Sequence, residues 1–126
     1  MVVAALQQHP THTGVQEQTC KALVCIARGH DDNQVAMAKA RGIHVVVTAL
    51  QQHLTHVGVQ EEACKVLNQL ATNADNRAVM AKTGCILVLV VALQQLPTQK
   101  DVQKEACGAL NQLAANADNQ VAMAKQ

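Results

Sequence analysis

Three cysteines, two histidine pairs and two glutamate–lysine pairs are the residues of this 126-residue chain whose types and spacing can do chemistry. Cys20, Cys64 and Cys107 recur in one register. A thiol nucleophile needs a base within hydrogen-bond reach, and no histidine recurs beside them at a helix-compatible spacing. They are therefore expected to be small hydrophobes in a core. His9 with His12 and His53 with His56 each form an HxxH pair. Four imidazoles would suit tetrahedral zinc. Stacked helices, however, lie roughly 10 Å apart, too far for one shared ion, and the third copy carries Leu96 and Gln99 instead. Solvated loop histidines and no metal are expected. Glu17 with Lys21 and Glu61 with Lys65 are i, i+4 pairs with the acid on the N-terminal side. Each fits a surface ion pair worth ~0.2–0.5 kcal/mol, and together they make a polar ladder that can meet a partner. No serine occurs in the chain and no glycine-rich phosphate loop is present. This removes serine-hydrolase and nucleotide-binding schemes. The reading is of a protein that is not an enzyme and carries no cofactor.

These residues are positioned by a repeat. Ala5 to His9 reads ALQQH, Ala49 to His53 reads ALQQH again, and Ala92 to Leu96 reads ALQQL. The equivalent leucines Leu6, Leu50 and Leu93 lie 44 and 43 residues apart. Val15, Val59 and Val102 each open a VQ pair, and Asn33, Asn76 and Asn119 each follow an aspartate. A period in the low forties points to a helical solenoid, which offers a surface for binding rather than a pocket for chemistry. One domain over 1–126 is expected, with copies at about 1–31, 32–74 and 75–117 and a terminal short helix at 118–126.

Composition agrees. Apolar residues make up 49% of the chain, yet Phe, Tyr and Trp are absent. The core must then be packed from Leu, Val, Ile, Ala, Met and Cys, and aromatic platforms for bases, sugars or interface anchors are lacking. A formal net charge of +1 leaves no electrostatic footprint for nucleic acid. The apolar stretch Cys85 to Leu93 is too short to span a bilayer, and no secretory signal is visible. An odd cysteine count suits a reducing compartment. A cytoplasmic, soluble chain with neither nucleic-acid nor membrane partners is expected.

Within one repeat, Asp75 and Asn76 are expected to start a short helix over Ala78 to Ala81, which Gly84 ends in the left-handed conformation. A second helix runs from about Cys85 to Gln95 and stops at Pro97. The third, longest helix covers roughly Val57 to Ala71 in the preceding copy. Val59, Ala63, Val66, Leu67 and Leu70 form its apolar stripe, while Gln60, Glu61, Lys65, Asn68 and Gln69 form the opposite face. Val88 to Val91 could also suit a buried strand, but the equivalent Val45 to Leu50 runs directly into ALQQ, which favours helix. Met37, Met80 and Met123 read as core filler. Arg41 reads as an extra residue before Gly42, and the Arg28 to Asp32 loop as one residue longer than its equivalents.

Three helices in the order short, medium, long, with DNRAVMAKTG, HVVVTALQQH and VQEEACKVLNQLA as the best segments, resemble the armadillo repeat over essentially the whole chain, in the manner of a consensus-like or engineered array. The resemblance implies an all-α fold, a right-handed α-solenoid of three-helix repeats. HEAT-like two-helix repeats are the structural alternative. Peptide-binding members of that family line a concave groove with their third helices, using a Trp and an Asn four residues later. Aligned on the third helix, Lys21, Lys65 and Gly108 hold the Trp position, and Cys25, Gln69 and Gln112 the Asn position. Asn68 and Asn111 sit one residue away, about 100° round the helix.

The expected function is a noncatalytic protein–protein interaction module that binds a polypeptide segment, with Lys21, Cys25, Glu61, Lys65, Asn68, Gln69 and Gln112 at the contact. The alternative is a structural or engineered repeat fragment that self-associates through its terminal helices, where Val3, Leu6, Val121 and Met123 would otherwise meet water.

Overall fold

The computed structural model describes residues 2–28, 31–39 and 41–115, apart from the side chains of Val2, Val3, Asp31 and Ala38. Eight helices and no strand occupy the described residues: α1 (Val2–Gln8), α2 (Thr13–Ala27), α3 (Asp31–Lys39), α4 (Gly42–Gln52), α5 (Val57–Leu70), α6 (Ala74–Lys82), α7 (Cys85–Gln95) and α8 (Lys100–Leu113). The long helices α2, α5 and α8 stack side by side, and α1, α4 and α7 pack on them as a second layer. Short helices α3 and α6 touch each other and bridge consecutive repeats. The result is an α-solenoid. Val88 to Val91 lies in α7, so the strand alternative falls away.

The periodic apolar residues fill one continuous core running through all the repeats. Leu23, Leu50, Leu67, Leu70, Leu89 and Leu113 are fully buried in it, and each such burial is worth about 1.5–3 kcal/mol. Met37 and Met80 are buried as expected, while Met123 lies outside the described residues.

Helix boundaries follow from identifiable caps. The short helix α6 begins earlier than Asp75: Asn73 is its N-cap, with its side-chain oxygen accepting from the Asp75 and Asn76 backbone N–H groups. Gly84 ends that turn at φ 82°, in the left-handed region expected of it. The start of α4 corrects the assignment of Arg41. It is no insertion: α4 and α7 align with Arg41 on Gly84 and Gly42 on Cys85, and Arg41 itself takes the left-handed conformation at φ 64°. Gly42 serves a different need there. A Cβ at Gly42 would lie 2.6 Å from the Met37 carbonyl oxygen, so the absence of a side chain lets α4 pack against the end of α3.

Candidate protein-binding face

Several of the recurring polar residues hold the helices together. Gln16, Gln60 and Gln103 follow the VQ valines, and each turns its carboxamide inward. Gln60 Nε2 donates to the Leu50 and His53 carbonyls, both at 2.9 Å. Gln16 does the same to Leu6 and His9, and Gln103 to Leu93 and Leu96. These are carbonyls at the C-terminal ends of α4, α1 and α7, where helix geometry leaves acceptors unpaired. Gln60 therefore does not belong to the open polar face of α5, where its amphipathic pattern placed it: it is 0% exposed. The ends of the long helices receive the same treatment. Asn33 and Gln34 donate to the Ile26 and Ala27 carbonyls, and Asn76 and Arg77 to those of Leu70 and Ala71.

Three of the histidines are structural too. His12 and His56 are the N-caps of α2 and α5, their Nδ1 atoms accepting the Val15 and Val59 backbone N–H groups at 3.1 Å. His53 Nε2 donates to the Pro10 carbonyl at 2.7 Å and ties one inter-helix turn to the next. No group of three or more His, Cys, Asp or Glu suited to a metal occurs among the described residues. The bonds of these three rings differ from the solvated loop state expected of them. The signal that could have exposed their role is position: each HxxH ends one residue before a long helix begins, where a cap is needed.

What remains open on the long helices is a narrower stripe. Its central feature is Lys65, whose ammonium lies 3.2 Å from Glu61 and 3.4 Å from Glu62. Partial burial disfavours its charge, but the hydrogen bonds and attraction of the two carboxylates outweigh that and raise its pKa. Glu62 was not among the residues singled out from sequence. Lys21 makes the equivalent but looser pair with Glu17 at 3.6 Å, with half of the lysine side chain exposed. Cys25 is exposed one turn beyond Lys21. Gln69 and Gln112, one turn beyond Lys65 and Gly108, are half-buried and their carboxamides make no hydrogen bond among the described residues. Asn68 is different. Its Nδ2 donates to Glu105 at 3.2 Å across the α5–α8 contact, and a Cβ on Gly108 would come within 2.7 Å of that nitrogen. Lys21 and Cys25 thus lie on α2, Glu61, Lys65 and Gln69 on α5 and Gln112 on α8, while Asn68 is committed to the contact between α5 and α8.

The cysteine ladder divides. Cys20 and Cys64 are fully buried, and desolvation together with nearby Glu62 and Glu105, respectively, pushes both thiols up to about 12. Cys85, outside the ladder, is buried as well and raised to about 11 by desolvation, against a lowering hydrogen bond from Thr83. Cys107 is exposed, which corrects the expectation of three buried thiols. Cys64 sits on the side of α5 that Glu105 of α8 approaches, and no long helix of the described residues covers the same side of α8. Of the terminal residues, Leu6 does not meet water. It is 2% exposed and belongs to the core, with its carbonyl held by Gln16. The Val3 side chain, Val121 and Met123 lie outside the described residues.

Repeated three-helix units, stitched by equivalent side chains and sharing one core, define an α-solenoid built from stacked repeats. The LRRK2 ARM repeat family model matches residues 1–122, and the chain belongs to this ARM repeat family. It is also similar to the crystal structure of an engineered protein, with a TM-score of 0.85 and 28% identity, over 98% of this chain and 50% of that one. The chain thus spans half the length of that protein. No curated protein sequence matches it. No single helix among the described residues is long and apolar enough to cross a membrane.

Proposed function

We propose that the chain is a noncatalytic protein-binding module that holds a polypeptide segment along the stripe of α2, α5 and α8. The observation that carries this reading is the state of the polar groups on that stripe. The recurring Gln16, Gln60 and Gln103 carboxamides are committed to backbone carbonyls, whereas the recurring Gln69 and Gln112 carboxamides make no hydrogen bond among the described residues. They occupy equivalent positions on neighbouring helices, the arrangement that meets successive peptide groups of an extended chain. Lys65, fixed between Glu61 and Glu62, presents its remaining donor capacity next to them. Membership of the ARM family supports a repeat interaction module in general. Five free thiols suit a reducing compartment such as the cytoplasm. A peptide array probed with the labelled chain tests the proposal. Selection of a common sequence supports it, and uniform absence of binding contradicts it.

A second reading, self-association, is favoured by α8. Cys107 and Asn111 stand in the register of Cys64 and Asn68, through which α5 receives α8, and both are exposed. A second copy presenting α2 to that face would extend the stack with the same geometry. Sedimentation over a dilution series distinguishes this from a monomeric binding module.

A further inference from the structure

On the second layer, between α1 and α4, lies a cavity of about 210 Å³ that none of the repeat's structural duties explains. Leu6 and Gln16 form its buried floor, while Gln7, Arg41, His44 and Gln52 line it as exposed residues. The Gln16 amide donor is already engaged by the Leu6 and His9 carbonyls. Donors offered to a guest therefore come from the Arg41 guanidinium, the His44 ring and the Gln7 and Gln52 carboxamides. No acidic residue lines the space. Before Glu17, and again between Asp32 and Glu61, the chain carries no carboxylate at all.

The neighbouring repeat gives an internal comparison. The positions equivalent to Arg41, His44 and Thr48 are Gly84, Leu87 and Val91, so the matching surface of α7 is apolar and uncharged. Leu87 is 54% exposed, and burial does not dictate the residue type at this position. The start of α4 places a cation and a polar ring there instead. Arg41 even holds the left-handed conformation that glycine fills in the next repeat, a conformation that carries a cost for a residue with a Cβ.

We propose that the α1–α4 cavity is a binding site for a carboxylate group. The planar guanidinium fork matches a carboxylate in two-point geometry, and the imidazole and amide groups line the same cavity. The volume selects the size of guest. Pockets for drug-sized ligands and cofactors hold about 300–1,000 Å³, so this one takes a short-chain acid or a single acidic side chain. The site lies in the second layer, away from the stripe of long helices, and stands independently of the peptide-binding reading.

The test is a titration of the isotope-labelled full chain followed by NMR, with sodium succinate in one arm and a blocked pentapeptide carrying one central glutamate in the other. Saturable shifts at Arg41, His44, Gln7 and Gln52 with a dissociation constant on the order of 10 mM or tighter are expected in at least one arm. A response to succinate alone assigns the site to a free acid, and a response to the peptide alone to a partner's side chain. Arg41→Gly removes the cation while suiting the backbone there, so loss of folding does not confuse the result. It should weaken binding by about tenfold or more. Absence of saturation in both arms, shifts scattered over the whole chain, or unchanged affinity in Arg41→Gly would overturn the proposal.

Discussion

Gln60 and Leu50 are joined by a buried hydrogen bond in which the Gln60 Nε2 donates to the Leu50 carbonyl at 2.9 Å, and the same nitrogen holds His53. Replacing Gln60 by leucine keeps the volume but leaves both carbonyls without that donor. A stability loss of about 1–3 kcal/mol is expected in urea denaturation. The buried Gln60 Oε1 has no hydrogen-bond partner among the described residues, and its removal offsets a little of that loss. Gln103→Leu, at a half-buried position, should cost less. Equal and negligible effects would show that the clamps do not hold the layers.

Thiol reactivity should separate the five cysteines. At pH 8, Cys25 and Cys107 are expected to alkylate rapidly in the native protein, and Cys20, Cys64 and Cys85 slowly. A thiol raised from 9.0 to about 12 has roughly a thousandfold less thiolate. The pH dependence has a definite sign. The fold favours the neutral thiols, so their contribution to stability is complete below the ordinary thiol range. It declines as pH rises from there towards about 12, because the unfolded chain ionises first. Mass-resolved labelling with a pulse of iodoacetamide reads the order directly, and early modification of Cys64 would contradict its burial.

Arg41 and Gly84 occupy equivalent left-handed positions. Arg41→Gly should stabilise the chain by about 1 kcal/mol. Gly84→Ala should destabilise it by a similar amount, about 1 kcal/mol, through backbone conformation alone, since a Cβ there meets nothing within 4 Å. Thermal melts of the two variants moving in the same direction would refute the equivalence.

The helix caps give a third comparison between copies. His56 caps α5, whereas Gln99, at the same place before α8, makes no side-chain cap. His56→Ala should lose about 0.5–2 kcal/mol, and Gln99→Ser should gain about 1 kcal/mol. Chemical denaturation measures both, and a stabilising His56→Ala would remove the histidine from its capping role.

The layout of helices was legible in the sequence because apolar periodicity and turn residues recur in every copy: α7 ends at Gln95 just ahead of Pro97, as the proline requires. The roles of the polar residues were much less legible. Gln60 looks like a surface residue in a helical pattern, and only the proximity of the α4 carbonyls, set by tertiary packing, shows why it turns inward. Asn68 and Gln69 are indistinguishable by composition, yet the approach of Glu105 engages one and leaves the other free. Arg41 was obscured by Gly42 beside it, since either residue can be imagined at the turn until the two repeats are superposed. Cys107 follows the same Glu-Ala pair as Cys64, yet it is exposed where Cys64 is buried.

The most direct test of the binding reading is the affinity of an array-selected peptide measured by calorimetry for the unaltered chain, Lys65→Ala, Gln69→Ala and the control Leu87→Ala. Lys65 and Gln69 lie at the centre of the long-helix stripe, where binding energy concentrates, and Leu87 is exposed on the other layer. Losses on the order of tenfold in each of the first two variants, with the control unchanged, are expected. Affinity unaltered by both Lys65→Ala and Gln69→Ala would contradict the account.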